Sequence, residues 1–151
     1  MLKLFFIIIL IIIDFFSKKL IFNFIDLNNF IYVTSFFDLA HIHNYGISFG
    51  LFSGFIPPWV LIIISLLITL FIIYLYFLSI SILEKWSYLL IIAGALSNIV
   101  DRIINGFVLD YLYFHYKDFY WPAFNFADIY ITIGVFMIII KIFKDMRDNI
   151  K

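Results

Sequence analysis

The stretch from Trp59 to Phe77 carries no charged side chain and is apolar almost throughout. A helix that crosses a bilayer needs about 20 mostly apolar residues. Pro57 and Pro58 stand directly before this stretch, where proline favours the first turn of a helix. Because only a segment that satisfies its own backbone hydrogen bonds can cross lipid, this stretch is predicted to be a transmembrane helix.

Three further segments have a similar length and apolar character, at about residues 4–24, 86–104 and 126–144. Hydrophobic residues make up 66% of the 151 residues, well above the share in a soluble domain. The sequence therefore predicts an all-α membrane protein with four transmembrane helices. No repeat or low-complexity linker divides it, so residues 1–151 are expected to form a single membrane-embedded domain.

The two longer connections, about residues 25–57 and 105–125, are expected to lie outside the cell membrane. Lysine and arginine concentrate at the chain ends and at Lys85, and residues 20–84 contain neither. By the positive-inside rule, both termini are predicted to be cytoplasmic. The runs Phe30–Val33 and Phe36–Phe37 predict a small extracytoplasmic β-rich region, and the aromatic second loop suits the headgroup zone.

Composition also excludes several classes of function. The formal net charge is zero, so the chain lacks the basic field that nucleic acid binding needs. With no cysteine, thiolate metal sites and cysteine nucleophiles are excluded. His41 and His43 would share a face of a strand, but they do not form a zinc-protease motif, so no metal or cofactor is expected.

Two acids, Asp110 and Asp128, lie at the predicted membrane boundary. A charged side chain there is costly and marks a functional site. Two carboxyl groups that meet can share a proton and activate water, as in aspartic proteases. Intramembrane acids also serve proton relays, so from the residues alone a small proton-coupled transporter remains the alternative, together with a non-enzymatic anchor protein.

Polar residues cluster at the end of the third span. Asn98, Asp101 and Arg102 have spacings of three and four, which place side chains on neighbouring turns. Asp101 and Arg102 are interpreted as structural support with different partners. Asp14 and Lys18, four apart, are either a structural ion pair or a wall of a polar cavity, and these two interpretations are weighted equally.

Read in order, five segments resemble the lipoprotein signal peptidase family, also called signal peptidase II. The segments are Asp14–Lys18, Asn44–Phe49, Gly94–Arg102, Gly106–Tyr111 and Phe124–Asp128. The last of them, Phe-Asn-Phe-Ala-Asp, matches the family's Phe-Asn-x-Ala-Asp without a change. Phe15, Ile47 and Ser97 stand where the family usually has Gln, Ala and often Gly. Each adds bulk or removes a polar group near the substrate cavity that the resemblance implies, and none replaces Asp110 or Asp128.

The resemblance implies an aspartic endopeptidase of the bacterial inner membrane, active as a monomer near the outer face. Its substrates would be prolipoproteins carrying a diacylglyceryl cysteine, cut just before that cysteine, and membrane lipids would surround it. Asp110 and Asp128 would be catalytic. Residues implied to bind substrate are Asn44, Gly46, Asn98, Arg102 and Asn125, with Asp14, Lys18 and Asp101 as polar support.

The transporter alternative predicts a polar stripe through the whole membrane depth. The second span has only Ser65 and Thr69 as hydrophilic positions before the tyrosines at its far end. The polar residues of the other spans gather toward one side of the membrane. This distribution favours a site that faces the membrane surface.

Overall fold

The computed structural model describes residues 1–47 and 54–148. Four long helices carry most of the chain: α1 (Leu2–Phe24), α2 (Pro58–Leu78), α3 (Ile82–Asn105) and α4 (Phe126–Asp148). Each contains the predicted span and extends it by up to four residues at an end. The protein is therefore mainly helical, as predicted.

Length and composition make α2, α3 and α4 candidates to cross a membrane. α1 is as long as α4, but Asp14, Lys18 and Lys19 interrupt its apolar sequence. Large apolar side chains cover the outward surface of all four helices, including Ile12 on α1 and Phe71 on α2. Such a surface is suited to lipid rather than water.

Local signals set the limits of the helices. Pro58 occupies the start of α2, where its missing N–H costs nothing. The Ser81 hydroxyl accepts a hydrogen bond from the Glu84 backbone N–H and caps α3. α3 ends at Gly106, whose φ of 79° lies in the left-handed region that favours glycine.

A four-stranded antiparallel sheet is formed by the two longer connections, between α1 and α2 and between α3 and α4. Its strands are β1 (Phe30–Thr34), β2 (Phe37–Asn44), β3 (Val108–Tyr116) and β4 (Phe119–Tyr120), in the order β1-β2-β3-β4. The first two lie in the loop where a small sheet was predicted. β3 lies in the second loop, which was predicted only as an aromatic headgroup segment, and it pairs with β2 over most of its length.

α3 is the central helix and packs against α1, α2 and α4. Two glycines let α4 come close. A methyl group on Gly134 would lie 2.6 Å from the Ser87 carbonyl oxygen, and one on Gly94 would collide with the Ala127 carbonyl oxygen. This close crossing brings the outer ends of α3 and α4 together beside the sheet.

Candidate active site

Asp110 projects from β3 and is 3% exposed. Its two carboxyl oxygens each accept a hydrogen bond from an asparagine amide: Asn44 Nδ2 at 2.9 Å and Asn125 Nδ2 at 2.7 Å. Asn44 ends β2, so the pairing of β2 with β3 sets this contact. The sheet therefore fixes the orientation of the Asp110 carboxyl group.

Asp128 lies in the first turn of α4. One carboxyl oxygen accepts a hydrogen bond from Asn98 Nδ2 of α3 at 2.9 Å. The other accepts the backbone N–H of Asn125 at 3.3 Å. An acid at a helix N-terminus is also favoured by the helix dipole, so the helix pair fixes this carboxyl group.

Asn125 joins the two acids. It is fully buried, its side-chain N–H donates to Asp110, and its side-chain oxygen accepts the Asp128 backbone N–H at 3.0 Å. One residue thus holds one acid from the sheet and one from the bundle. Both the side-chain nitrogen and the side-chain oxygen of Asn125 are therefore hydrogen-bonded to protein atoms, and this amide does not face open space.

The two acids influence each other electrostatically. Burial raises the pKa of the Asp110 carboxyl, and the negative charge of Asp128 adds to this effect, bringing that pKa to about 7. The amide donors from Asn44 and Asn125 act in the opposite direction. At neutral pH such a pair can keep one proton, the state in which one acid donates while the other accepts.

Lys18 of α1 contacts Asn98, the residue whose amide donates to Asp128. Its ammonium group lies 2.7 Å from Asp14 and 2.8 Å from Asp101, and it donates to Asn98 Oδ1 at 3.1 Å. Asp14 also accepts the Ala127 backbone N–H, directly before Asp128. The predicted Asp14–Lys18 ion pair is therefore present, and it ties α1 to α3 and to the start of α4.

Arg102 has partners different from those of Asp101, as predicted. One guanidinium nitrogen donates to the Gly46 carbonyl oxygen at 2.7 Å, and another donates to the Asn98 carbonyl oxygen at 3.3 Å. Asn44 Oδ1 accepts the Gly46 backbone N–H at 2.9 Å. Arg102 thus holds the turn after β2 against the end of α3.

Two cavities meet at Asp128. The first, here called the central cavity, has a volume of about 370 Å³ and lies among α2, α3, α4 and the turn after β2. Its polar lining is mainly Asn44, Asn98, Arg102 and Asp128, and its apolar wall comes from α2. The second, here called the outer cavity, has a volume of about 410 Å³ and lies between α4 and the aromatic pair Trp121 and Phe124.

The site contains residues from all five sequence segments named above. Comparison with known proteins identifies the family to which the chain belongs. The family model of signal peptidase II matches residues 6–144. The chain belongs to the signal peptidase II family. It is accordingly a membrane-bound peptidase.

Individual signal peptidase II relatives agree with this assignment. The lipoprotein signal peptidase of Thermodesulfovibrio yellowstonii is 39% identical over 137 residues, which cover 90% of each chain. That of Francisella tularensis subsp. novicida is 39% identical over 132 residues, 83% of this chain and 81% of the relative. That of Vibrio cholerae is 41% identical over 122 residues, 77% and 70% of the two chains.

Two solved structures described as a bacterial membrane enzyme, determined by the in meso method, share the fold. The first has a TM-score of 0.87 and 27% identity and covers 97% of this chain and 90% of its own. The second has a TM-score of 0.82 and 28% identity, covering 95% and 93%. The signal peptidase II sequence and its architecture are thus matched nearly end to end.

Three positions at which the chain departs from the usual signal peptidase II sequence have different surroundings. Ile47 lines the central cavity, as expected. Ser97 is buried, and its hydroxyl has no hydrogen-bond partner within residues 1–47 and 54–148. Phe15 lines a groove between α1 and α3 and is not part of the central cavity lining.

The stretch from Asn44 to Gly50 has the asparagine and glycine residues that are typical of a turn, and it follows β2 directly. Asn44 does form it, accepting from Gly46 and donating to the Ile47 carbonyl oxygen at 3.2 Å. Ser48, Phe49 and Gly50 lie outside the described residues.

Sequence reasoning missed Tyr111, which donates a hydrogen bond to Ser17 at 2.8 Å and packs edge-on against Phe126. It thereby ties β3 to α1 and α4 next to Asp110. The sequence signal that could have indicated Tyr111 was its position directly after Asp110.

Proposed function

We propose that this signal peptidase is an aspartic endopeptidase that removes signal peptides from prolipoproteins, with Asp110 and Asp128 as its catalytic pair. The observation that carries the proposal is the joint anchoring of the buried Asp110 and the partly buried Asp128 by Asn125. A fixed pair of carboxyl groups with one shared proton is the arrangement that hydrolyses amides without a covalent intermediate.

In this mechanism the ionised member of the pair takes a proton from a water molecule. The resulting hydroxide equivalent attacks the scissile carbonyl carbon, while the protonated member donates to the carbonyl oxygen. Collapse of the tetrahedral intermediate breaks the C–N bond and reforms the carbonyl group. The leaving nitrogen receives a proton from the pair, and a hydroxyl group of the intermediate returns its proton to the pair. One proton remains shared throughout, so the individual roles are those of the pair.

The cavities on either side of Asp128 suit an amphiphilic substrate. We propose that the substrate is a prolipoprotein whose cysteine carries a diacylglyceryl group, and that the cut falls just before this cysteine. Apolar walls from Leu61, Ile64 and Ile68 face the polar side chains Asn98 and Arg102 across the central cavity. Apolar walls accept acyl chains and the hydrophobic signal helix.

Polar groups on the central cavity are available to hold the peptide backbone. Asn44, Asn98 and Arg102 line it, and the Gly46 carbonyl oxygen lies at its edge through its bond to Arg102. We assign substrate binding to these residues and the positioning of the acids to Asn125. Asp14, Lys18 and Asp101 serve as structural support.

The membrane arrangement belongs to the same proposal. α1 crosses the bilayer together with the other three helices, because its buried charges are neutralised by one another and its 23 residues span about 34 Å. The whole chain is a single domain that acts as a monomer in the bacterial inner membrane. Both termini are cytoplasmic, and the acids face the outer side.

A proton-coupled transporter is not favoured. The polar residues concentrate where α3, α4 and the sheet meet, and α2 presents an apolar wall to the cavity. Family membership points the same way.

The decisive experiment is cleavage of a diacylglyceryl-modified prolipoprotein by the purified chain in detergent. Wild-type protein is expected to cut it and to leave the unlipidated precursor intact. Asp110→Asn and Asp128→Asn are expected to lose cleavage while still inserting into membranes. Asp118→Asn changes an exposed acid in the same way and is expected to keep full activity.

Full activity in either Asp110→Asn or Asp128→Asn would refute the aspartic mechanism. Equal cleavage of the lipidated and unlipidated precursors would refute the requirement for the diacylglyceryl group.

A further inference from the structure

A groove of about 320 Å³ runs between the outer halves of α1 and α3, on the opposite side of α3 from the central cavity. It is here called the α1–α3 groove. The residues on which its chemistry depends are Phe15, Lys19, Phe22, Asn23, Ile104 and Asn105. Lys18, Asp101 and Leu109 complete its lining. Neither acid of the proposed catalytic pair and none of the residues proposed to bind substrate lines this groove.

Lys19 gives the groove an exposed ammonium group that has no ion-pair partner among the described residues. Its neighbour Lys18 is buried and paired with Asp14 and Asp101. Lys19 is exposed, and none of the carboxylates in residues 1–47 and 54–148 forms an ion pair with it. A lysine without a counter-ion on a lipid-facing helix is costly unless an anion reaches it from outside.

Two amides stand at the outer rim of the groove. Asn23 is one helical turn beyond Lys19, and Asn105 is the last residue of α3. Both are exposed, and the structure gives neither side chain a hydrogen-bond partner in its described part. Lys19 lies five positions before the end of α1, about 7.5 Å along the axis, so its flexible side chain reaches the level of these amides.

Apolar side chains line the groove next to these polar groups. Phe15 lies one helical turn before Lys19, whereas Phe22 and Ile104 directly precede Asn23 and Asn105, and all three are exposed. A site with a cation and amide donors beside apolar side chains is complementary to an amphiphile with an anionic head. A free phosphate ion would leave these apolar side chains uncovered, and a peptide would leave Lys19 without a counter-charge.

We propose that the α1–α3 groove binds an anionic phospholipid of the outer leaflet. Lys19 contacts the phosphate, Asn23 and Asn105 donate to the headgroup, and an acyl chain lies against Phe15, Phe22 and Ile104. The lipid also contacts Lys18 and Asp101, which line the groove. Lys18 donates a hydrogen bond to Asn98, and Asn98 donates one to Asp128. This site goes beyond the proteolytic function and does not depend on the catalytic pair.

The test is lipid binding to the purified full-length chain, measured by native mass spectrometry from detergent. Dioleoylphosphatidylglycerol is expected to bind in a saturable manner and more tightly than dioleoylphosphatidylcholine. Lys19→Gln is expected to weaken the phosphatidylglycerol affinity by about fivefold, the factor for one lysine–lipid charge contact. Asn23→Ala is expected to weaken it as well, and provides a second variant if Lys19→Gln folds poorly.

Lys117→Gln is the matched control, because it removes one exposed lysine from the same side of the membrane without touching the groove. It is expected to bind like the wild type. Equal affinities of the wild type for the two lipids, or equal losses in Lys19→Gln and Lys117→Gln, would overturn the proposal. Comparable binding of glycerol 3-phosphate would overturn the lipid nature of the ligand. Because no readout involves cleavage, the result is independent of the catalytic proposal.

Discussion

At the scale of single residues, Asn125 shows how a small polar side chain organises two acids. Its side-chain N–H and backbone N–H donate to different carboxyl groups, and its side-chain oxygen accepts from the backbone of Asp128. A buried amide with all its groups paired is rigid, because any movement leaves a polar atom unsatisfied. The distance between the acids is thus set by one fully buried residue.

The raised pKa of Asp110 predicts a pH-dependent stability. In the unfolded chain this carboxyl ionises near 3.8, and in the folded protein it ionises near 7. Between these values the folded state binds the proton that the unfolded state has lost, so stability from this group is full below about 3.8 and declines as the pH rises toward 7. Thermal unfolding in detergent at a series of pH values measures the effect.

The control for this prediction is Asp110→Asn, which carries no titrating group at that position. Its unfolding temperature is expected to vary less between pH 4 and pH 7 than that of the wild type. Parallel curves for the two proteins would show that Asp110 is not the group responsible.

Arg102→Lys is predicted to impair cleavage more than Lys117→Ala does. Lysine keeps the charge of Arg102 but cannot reach Gly46 and Asn98 with two separate donors. Loss of a charge-assisted hydrogen bond costs roughly 1.5–3 kcal/mol, so kcat/KM is expected to fall about ten- to a hundredfold. Undiminished turnover in Arg102→Lys, matching that of Lys117→Ala, would argue against a role for this side chain.

The sequence was informative about which polar residues would meet, and less so about their roles. The spacing of Asp14 and Lys18 predicted their ion pair but left its purpose open. The structure adds Asp101 and Asn98 as partners of Lys18, contacts that depend on how α1 packs against α3. Asn125 was expected to face substrate, and only the tertiary structure reveals that its amide is already occupied.

At the scale of helices and strands, apolar length predicted all four helices, because that signal is local. β3 was missed although Val108–Tyr116 is rich in residues that favour strands. Its partner β2 lies more than 60 residues earlier in the chain, and pairing over that separation leaves little trace in the local pattern. Aromatic side chains of the predicted headgroup loop belong to β3 and β4 of the sheet.

The close crossing of α3 and α4 predicts that Gly134→Ala is destabilising. The added methyl group would lie 2.6 Å from the Ser87 carbonyl oxygen and 2.7 Å from Ile91 Cγ1, and the backbone oxygen cannot rotate aside as a side chain can. The helices must therefore separate, and overpacking of this kind costs about 1–3 kcal/mol. A lowered unfolding temperature in detergent would report the change.

Val135→Ala is the companion variant, since Val135 is the next residue along α4 and is exposed. It is expected to leave the unfolding temperature nearly unchanged. An equal effect of both substitutions would indicate that the crossing tolerates the methyl group.

At the scale of the whole molecule, the proposed orientation can be tested because the natural chain has no cysteine. Asp118→Cys lies in the turn between β3 and β4, and Lys144→Cys lies near the end of α4; both positions are exposed. A membrane-impermeant maleimide is expected to label Asp118→Cys in intact spheroplasts. Lys144→Cys is expected to react only after the membrane is permeabilised, and the reverse pattern would refute the orientation.

The joint anchoring of the two acids also bears on how the enzyme is made. Asp110 depends on β2 and β3, whereas Asp128 begins the last helix, and Asn125 stands between them in sequence. A chain emerging from the ribosome has no complete pair until α4 has been synthesised and docked on α3. Under the proposed mechanism, the nascent chain is therefore inert inside the translocon, beside other unfolded membrane segments, and becomes active only when its own last helix has docked.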